Sequence, residues 1–268
     1  MAAAIAAVHH LLLAHGLATQ RMRAAGRDIE LGITLNMGYT TPATDTEVDR
    51  AATRRVQGMG IRLYLDPLVR GEYPADVVED LAAQGLRLPV ADGDLEIMST
   101  PIDVLGLNYY SAYRCSGTDE HGRTVDENGH PVSRSVPSGA PLTAMGWEIV
   151  PDGIRNLLLW LGERYAGLPI VITENGAAFE DQADGDGFVA DTDRIDYLEA
   201  HVRAVAEAVQ QGADVRGYFA WSLMDNFEWS FGYDKRFGII RVDYETQTRT
   251  LKQSAHWYQN LIRRVRDR

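Results

Sequence analysis

Residues 168–179 read LPIVITENGAAF. Ile170, Val171 and Ile172 form a short β-branched run of the kind that makes a buried strand. The run ends on Glu174, with Asn175 and Gly176 directly behind it. A carboxylate at the end of a buried strand must find a partner or an opening to solvent, because desolvating its charge is costly. In α/β folds ligands bind beyond the carboxyl ends of the strands. Glu174 is expected at such an end, and Gly176 admits close backbone approach there.

Working outward, residues 29–36 and 102–108 read as two further strands, residues 169–173 as the third, and a fourth begins at Val215. Helical patterns lie between them. Residues 2–25 are rich in Ala, Leu, Gln and Arg without proline, a helix-favouring composition lacking an N-cap, and are read as an element cut into by the start of the chain. The stretch TDTEVDRAATRRVQGMG, residues 44–60, offers Asp45 or Thr46 as N-cap and Gly58 and Gly60 as a stop. Residues 150–165 place Ile154, Leu157, Leu158 and Leu161 on one helical face. Residues 191–212 repeat Ile195, Leu198, Val202, Val205 and Val209 at helical spacing, with Gly212 as the stop. Residues 117–141 read as a long loop, and a last helix starts near Lys252. Strands that are continuous apolar runs and alternate with helices imply a parallel sheet covered on its faces, either doubly wound or barrel-shaped. Successive strands are roughly 60 residues apart, so an eight-stranded barrel would need on the order of 500 residues. The chain has 268, enough for about four such units, so it is either a four-stranded fold with long loops or half of a larger barrel.

The net charge of −12 and a pI near 5.0 argue against tracking a nucleic-acid backbone and against an anionic membrane surface. The lone Cys115 has no internal disulfide partner, which points to a reducing, cytoplasmic location. The apolar stretch near residues 11–14 is too short to span a bilayer, and no Lys or Arg precedes it as in an export signal. The first helix is therefore expected to be amphipathic or buried. Its His9, His10 and His15 read as packing and surface residues, since no carboxylate or further histidine sits at ligand spacing nearby.

Each strand ends in polar or aromatic residues: Asn36, Asn108 with Tyr109 and Tyr110, Glu174 with Asn175, then residues 221–229. Carboxylates and amides beside aromatic rings suit sugars, whose C–H faces pack on indole while their hydroxyls need paired donors and acceptors. Glu174 is the candidate nucleophile or base, with Tyr110, Asn108, Trp221 and Glu228 projected to the same mouth. The plainer reading of the aromatic run 221–239 is core packing.

Four motifs carry a resemblance: VITENG (171–176), LGLNYYS (105–111), MGWEIVPDGI (145–154) and WSLMDNFEWSFGYDKRFGIIRVDY (221–244). Together they resemble the family 1 glycoside hydrolases, the retaining β-glucosidases and their relatives, along almost the whole chain. HHLLLAHGLA (9–18) looks like the helix after the fourth strand of that family's (β/α)8 barrel. The resemblance implies an α/β fold, the C-terminal half of a (β/α)8 barrel. It implies Glu174 as catalytic nucleophile and Tyr110 as its hydrogen-bonding partner, with Asn108 beside them. It also implies Trp221, Glu228 and Trp229 as glycone floor and hydroxyl ligands, Phe237 as a wall and Trp147 as an aglycone platform. An acidic Glu228 suits an unphosphorylated sugar, because a 6-phosphate there would meet like charge.

One departure outweighs these matches. Retaining hydrolysis uses two carboxyl groups about 5 Å apart, and the family takes its acid/base from an Asn-Glu-Pro triplet. No such triplet occurs in this sequence. The expected substrate is a β-glucoside or oligosaccharide, with no metal or organic cofactor, because this chemistry runs on carboxylates and water. Full turnover is expected to need a missing N-terminal half-barrel. The alternatives are a non-catalytic sugar-binding module, or a half-barrel that pairs with a second copy of itself through open strand edges.

Overall fold

The computed structural model describes residues 1–267. Two compact units divide the chain: one is Met1–Gly106, Tyr113–Ser138 and Glu163–Pro169, and the other is Leu107–Ala112, Gly139–Gly162 and Ile170 onward.

The first unit begins with α1 (Ala2–Ala24), β1 (Gly32–Asn36), β2 (Thr40–Pro42) and α2 (Glu47–Gln57). A π-helical turn (Gly58–Arg62) leads into α3 (Leu63–Arg70), followed by α4 (Ala75–Ala83) and α5 (Asp94–Met98). The first unit also holds the start of β3 (Val104–Asn108), together with β4 (Tyr113–Ser116) and β5 (Arg134–Val136). Thr46 caps α2, its hydroxyl accepting from Asp49 N at 3.3 Å. Gly58 and Gly60 do not stop the helix. Gly58 keeps right-handed helical angles and is packed so closely that a Cβ would sit 2.6 Å from Val77 Cγ2. The true stop is Gly71, whose φ of 69° is the left-handed conformation that glycine adopts without strain.

α1 buries Ile5, His9, Leu12, Gly16 and Thr19. Ile5 packs with Leu63, Val77 and Leu81, and Leu12 with Leu68 and Met98. By length and composition α1 also suffices to cross a membrane, with a mean hydropathy of 1.4 over its most apolar window. The unbroken run at residues 11–14 misses this because alanines carry the apolar character past the histidines. His9 does meet a carboxylate: its Nε2 lies 2.9 Å from Asp94 Oδ2 and its Nδ1 3.0 Å from the Tyr73 hydroxyl. Asp94 is 85 residues away, so no local spacing rule reveals it.

In the expected first strand, Gly32, Thr34 and Asn36 are exposed, and only one face, Ile33 with Leu35, packs inward against the Leu12 cluster. The sheet order is β1-β3-β6-β7, which leaves β1 an edge strand rather than a doubly covered one. The long loop 117–141 contains β5, antiparallel to β4, which in turn runs parallel to β2.

The second unit holds most of α6 (Pro151–Arg164), then β6 (Ile170–Asn175), α7 (Thr192–Gln210), β7 (Val215–Ala220), β8 (Ile240–Val242), β9 (Arg249–Leu251) and α8 (Gln253–Arg266). Ile154, Leu157, Leu158 and Leu161 are buried as their spacing requires. β6 and β7 pair in parallel, Ile172 opposite Tyr218 and Asn175 opposite Ala220. The buried face of α7 is rotated from the expected stripe. It comprises Arg194, Tyr197, Leu198, His201, Ala204, Val205 and Ala208, while Val209 is 45% exposed. Polar side chains with buried partners, which an apolar count skips, decide that face.

Candidate functional site

β6 runs one turn of pleat further than expected and includes Glu174 and Asn175. Side chains alternate along a strand, so these two neighbours point to opposite faces. The Glu174 carbonyl accepts from Tyr109 N at 2.9 Å, which docks the end of β3 against the end of β6. The Tyr110 hydroxyl donates to Glu174 Oε2. Burial, then the bond to Glu174 and the negative charges of Glu174 and Glu228, push the Tyr110 phenol far above its ordinary pKa. Tyr110 is therefore a neutral donor at any working pH, and its proton is committed to the carboxylate.

Tyr110 also anchors an aromatic wall. Its ring centroid is 5.2 Å from that of Trp147 and 6.3 Å from that of Phe237, and Trp147 and Phe237 are 6.2 Å apart. Phe237 is fully buried and supports this wall from behind. Asn108 lies beside the nucleophile candidate, its Oδ1 accepting from the Thr173 hydroxyl at 2.6 Å.

Trp221 follows β7 and is held by its backbone: its N–H donates to Asn175 O at 2.9 Å, and the peptide bond to Ser222 is cis. Glu228 is half-buried at the start of the short turn Trp229–Phe231, and its negative charge reaches the Tyr110 phenol. Trp229 stands apart from the ring cluster, 83% exposed with φ 44°. Glu174, Tyr110, Trp147, Phe237 and Asn108 are thus gathered around one carboxylate, with Trp221 and Glu228 beside them. Trp229 forms an exposed rim.

Three sets of contacts escaped the sequence reading. Asn175 is completely buried, and its amide spans Tyr109 O, the Tyr197 hydroxyl and the Tyr218 hydroxyl at 2.8, 3.1 and 2.6 Å. Tyr197 and His201 stack at 3.9 Å beneath it. A buried charge network then pins the segment that carries Trp221, Glu228 and Phe237. Asp225 accepts from Lys252 and Arg236, both at 2.8 Å, and from Gly238 N at 3.0 Å. Lys252 also bonds Asp181, which pairs with Arg194 at 3.0 Å. The helical spacing of Arg194, Tyr197 and His201 on α7 was the available clue to part of this.

Among the described residues, no group of three or more His, Cys, Asp or Glu is placed to hold a metal ion.

The profile described as "Glycosyl hydrolase family 1" matches residues 1–266. A bifunctional beta-D-glucosidase/beta-D-fucosidase of Bifidobacterium breve is 44% identical, the alignment covering 97% of this chain and 57% of that protein. Beta-glucosidase A of Thermotoga maritima is 43% identical over 97% of this chain and 56% of its own length. The crystal structure of the psychrophilic beta-glucosidase BglU from Micrococcus antarcticus matches with a TM-score of 0.89 and 46% identity, over 97% of this chain and 58% of that one. The chain thus spans a little over half the length of the relatives it matches. Its parallel strands and covering helices are a half-barrel α/β fold, as the resemblance implied. With one profile running from the first helix to the last and an α/β frame shared at this level of identity, the chain belongs to glycosyl hydrolase family 1.

Proposed function

We propose that this chain supplies the nucleophile-bearing part of a retaining β-glucosidase that hydrolyses β-D-glucosides or oligosaccharides. The observation that carries the reading is the Glu174 carboxylate at the end of β6, with the neutral Tyr110 hydroxyl donating to Oε2. One oxygen is thereby fixed, and the other is the atom that attacks the anomeric carbon. The new C–O bond forms as the bond to the aglycone oxygen breaks, giving a glycosyl-enzyme that water then opens. Trp221 and Glu228 bind the glycone and Trp147 the aglycone.

The departing oxygen needs a proton from a second carboxyl group about 5 Å from the first. Both Asp225 oxygens are already engaged inside the protein, Oδ1 by Lys252 and Oδ2 by Arg236. Glu148 Oε1 accepts the Gly139 N–H at 3.1 Å. Together with the absence of an Asn-Glu-Pro triplet from the sequence, this supports an acid/base supplied from outside these residues, by a complementary half-barrel. General acid catalysis is worth roughly 10²–10⁴-fold, so the chain alone is inactive or weakly active in this reading, and aryl glucosides whose leaving groups need no proton suffer least.

The test is covalent labelling with 2,4-dinitrophenyl 2-deoxy-2-fluoro-β-D-glucoside, read by peptide mass spectrometry. A fluoroglucosyl group on Glu174, absent from Glu174→Gln, is expected. A label on another carboxylate, or none, overturns the assignment. Adding a separately produced N-terminal half should restore hydrolysis of a nitrophenyl glucoside. Vigorous hydrolysis by Glu174→Ala would overturn the nucleophile itself.

A further inference from the structure

Asn175 and Tyr197 make a closed hydrogen-bond unit behind the site. The Asn175 amide has two N–H donors, and both are used: one goes to Tyr109 O at 2.8 Å, the other to the Tyr197 hydroxyl at 3.1 Å. Its Oδ1 accepts from the Tyr218 hydroxyl at 2.6 Å, so the orientation of the amide is determined. The Tyr197 hydroxyl, having accepted from Asn175, itself donates to Tyr110 O at 3.2 Å. One phenol thus grips the backbone of Tyr110 and the side chain that directly follows Glu174.

Tyr110 and the Glu174 that precedes Asn175 are the two residues whose meeting defines the site, since the Tyr110 hydroxyl donates to Glu174 Oε2. The grip is rigid. Tyr197 is 1% exposed, Asn175 is fully buried, and the Tyr197 ring is backed by His201 at 3.9 Å. His201 Nδ1 donates to Tyr197 O at 2.7 Å, so ring and backbone of Tyr197 are both held. Asn175 O meanwhile accepts from Trp221 N at 2.9 Å. The ends of β3, β6 and β7 are therefore tied at Asn175, and α7 supplies the outside anchor.

We propose that Tyr197 is a positioning residue: its hydroxyl sets the distance and angle at which the Tyr110 hydroxyl meets the Glu174 carboxylate, without itself reaching substrate. Placement of a reacting group matters steeply in catalysis, because small displacements from attack geometry slow the chemical step more than they weaken binding. The inference rests on the reading of Glu174 as nucleophile, and its test separates the two.

Tyr197→Phe removes one oxygen and leaves the stack on His201 in place. In the labelling reaction it should lower the maximal rate of Glu174 modification about five- to tenfold, the effect of one hydrogen bond. The concentration giving half that rate should change little. The second readout does not need the reaction. With tyrosine carbon-13 labelled at Cζ, the Tyr110 resonance, assigned by its loss in Tyr110→Phe, should move in Tyr197→Phe as the bond to Glu174 lengthens. A Tyr110 resonance left in place, or an unchanged maximal labelling rate in a folded variant, overturns the positioning role. Failure of the unaltered chain to label at Glu174, with the Tyr110 resonance still moving, overturns the nucleophile reading and leaves the clamp standing. If Tyr197→Phe does not fold, Tyr218→Phe, which releases the opposite side of the same amide, should slow labelling and move the Tyr110 resonance. No change in either then overturns the proposal.

Discussion

Lys252 Nζ lies 2.8 Å from Asp225 Oδ1, and neither side chain has any surface in contact with solvent. Asp225 sits on the segment that bears Trp221, Glu228 and Phe237, so this ion pair holds the candidate glycone floor to the start of α8. Lys252→Met keeps the length of the side chain and removes its charge. Asp225 would keep Arg236, but Asp181 would also lose a cation. Breaking a buried pair from one side typically costs about 3–5 kcal/mol, because the remaining charge stays desolvated. Urea unfolding should show a loss of that size. A loss under about 1 kcal/mol would mean that Arg236 alone satisfies Asp225.

How much of this was legible in the sequence follows from the range of each interaction. β6 and α6 were readable because their apolar residues are local and periodic, as with Ile170 to Ile172 and Leu157, Leu158 and Leu161. The gathering of Glu174, Tyr110, Asn108 and Trp147 was readable only through strand ends and family motifs. The Asn175 amide was not, because its partners Tyr109, Tyr197 and Tyr218 come from three other elements. The stop at Gly58 misled for a different reason. Glycine ends a helix when φ turns positive but also serves where a neighbour packs closely, and composition alone does not distinguish the two. The short strands β2, β4, β5, β8 and β9 carry too few residues for any period to show.

Tyr110→Phe tests the bond at the centre of the site. A hydrogen bond to a charged group is worth about 1.5–3 kcal/mol, so Glu174 labelling by the fluoroglucoside should slow roughly 10- to 100-fold. The ring contacts to Trp147 and Phe237 survive the change, so the fold should hold its melting temperature within a few degrees. An unaltered labelling rate would show that the Tyr110 hydroxyl plays no part in placing the carboxylate.

Gly176→Ala should be poorly tolerated. A Cβ at this position would sit 1.7 Å from Trp221 O, a backbone atom that has no rotamer by which to escape. Overpacking of this kind costs about 1–3 kcal/mol and sometimes more. Relief requires the backbone at Trp221 to move, so a shift in tryptophan fluorescence should accompany the lower unfolding midpoint. Wild-type stability with an unchanged emission spectrum would show that the β6 and β7 ends are less closely apposed than here.

His201 gives the fold a defined pH dependence. Burial lowers its pKa to about 4, from the 6.5 ordinary for an imidazole. Its Nδ1–H is spent on Tyr197 O, and Nε2 is buried without a hydrogen-bond partner among the described residues, so a proton added there would be a buried charge beside the Tyr109 and Tyr197 rings. The folded state thus holds the neutral ring while the unfolded chain takes up a proton, and stability falls as pH drops from about 6.5 to about 4. Below the folded pKa both states are protonated and the loss is complete, on the order of 3 kcal/mol. His201→Leu removes the titrating group. Urea unfolding at about pH 7 and about pH 4.5 should therefore show a smaller acid loss in the variant than in the parent chain. Equal losses in both would place the acid sensitivity in other groups and assign His201 no share of it.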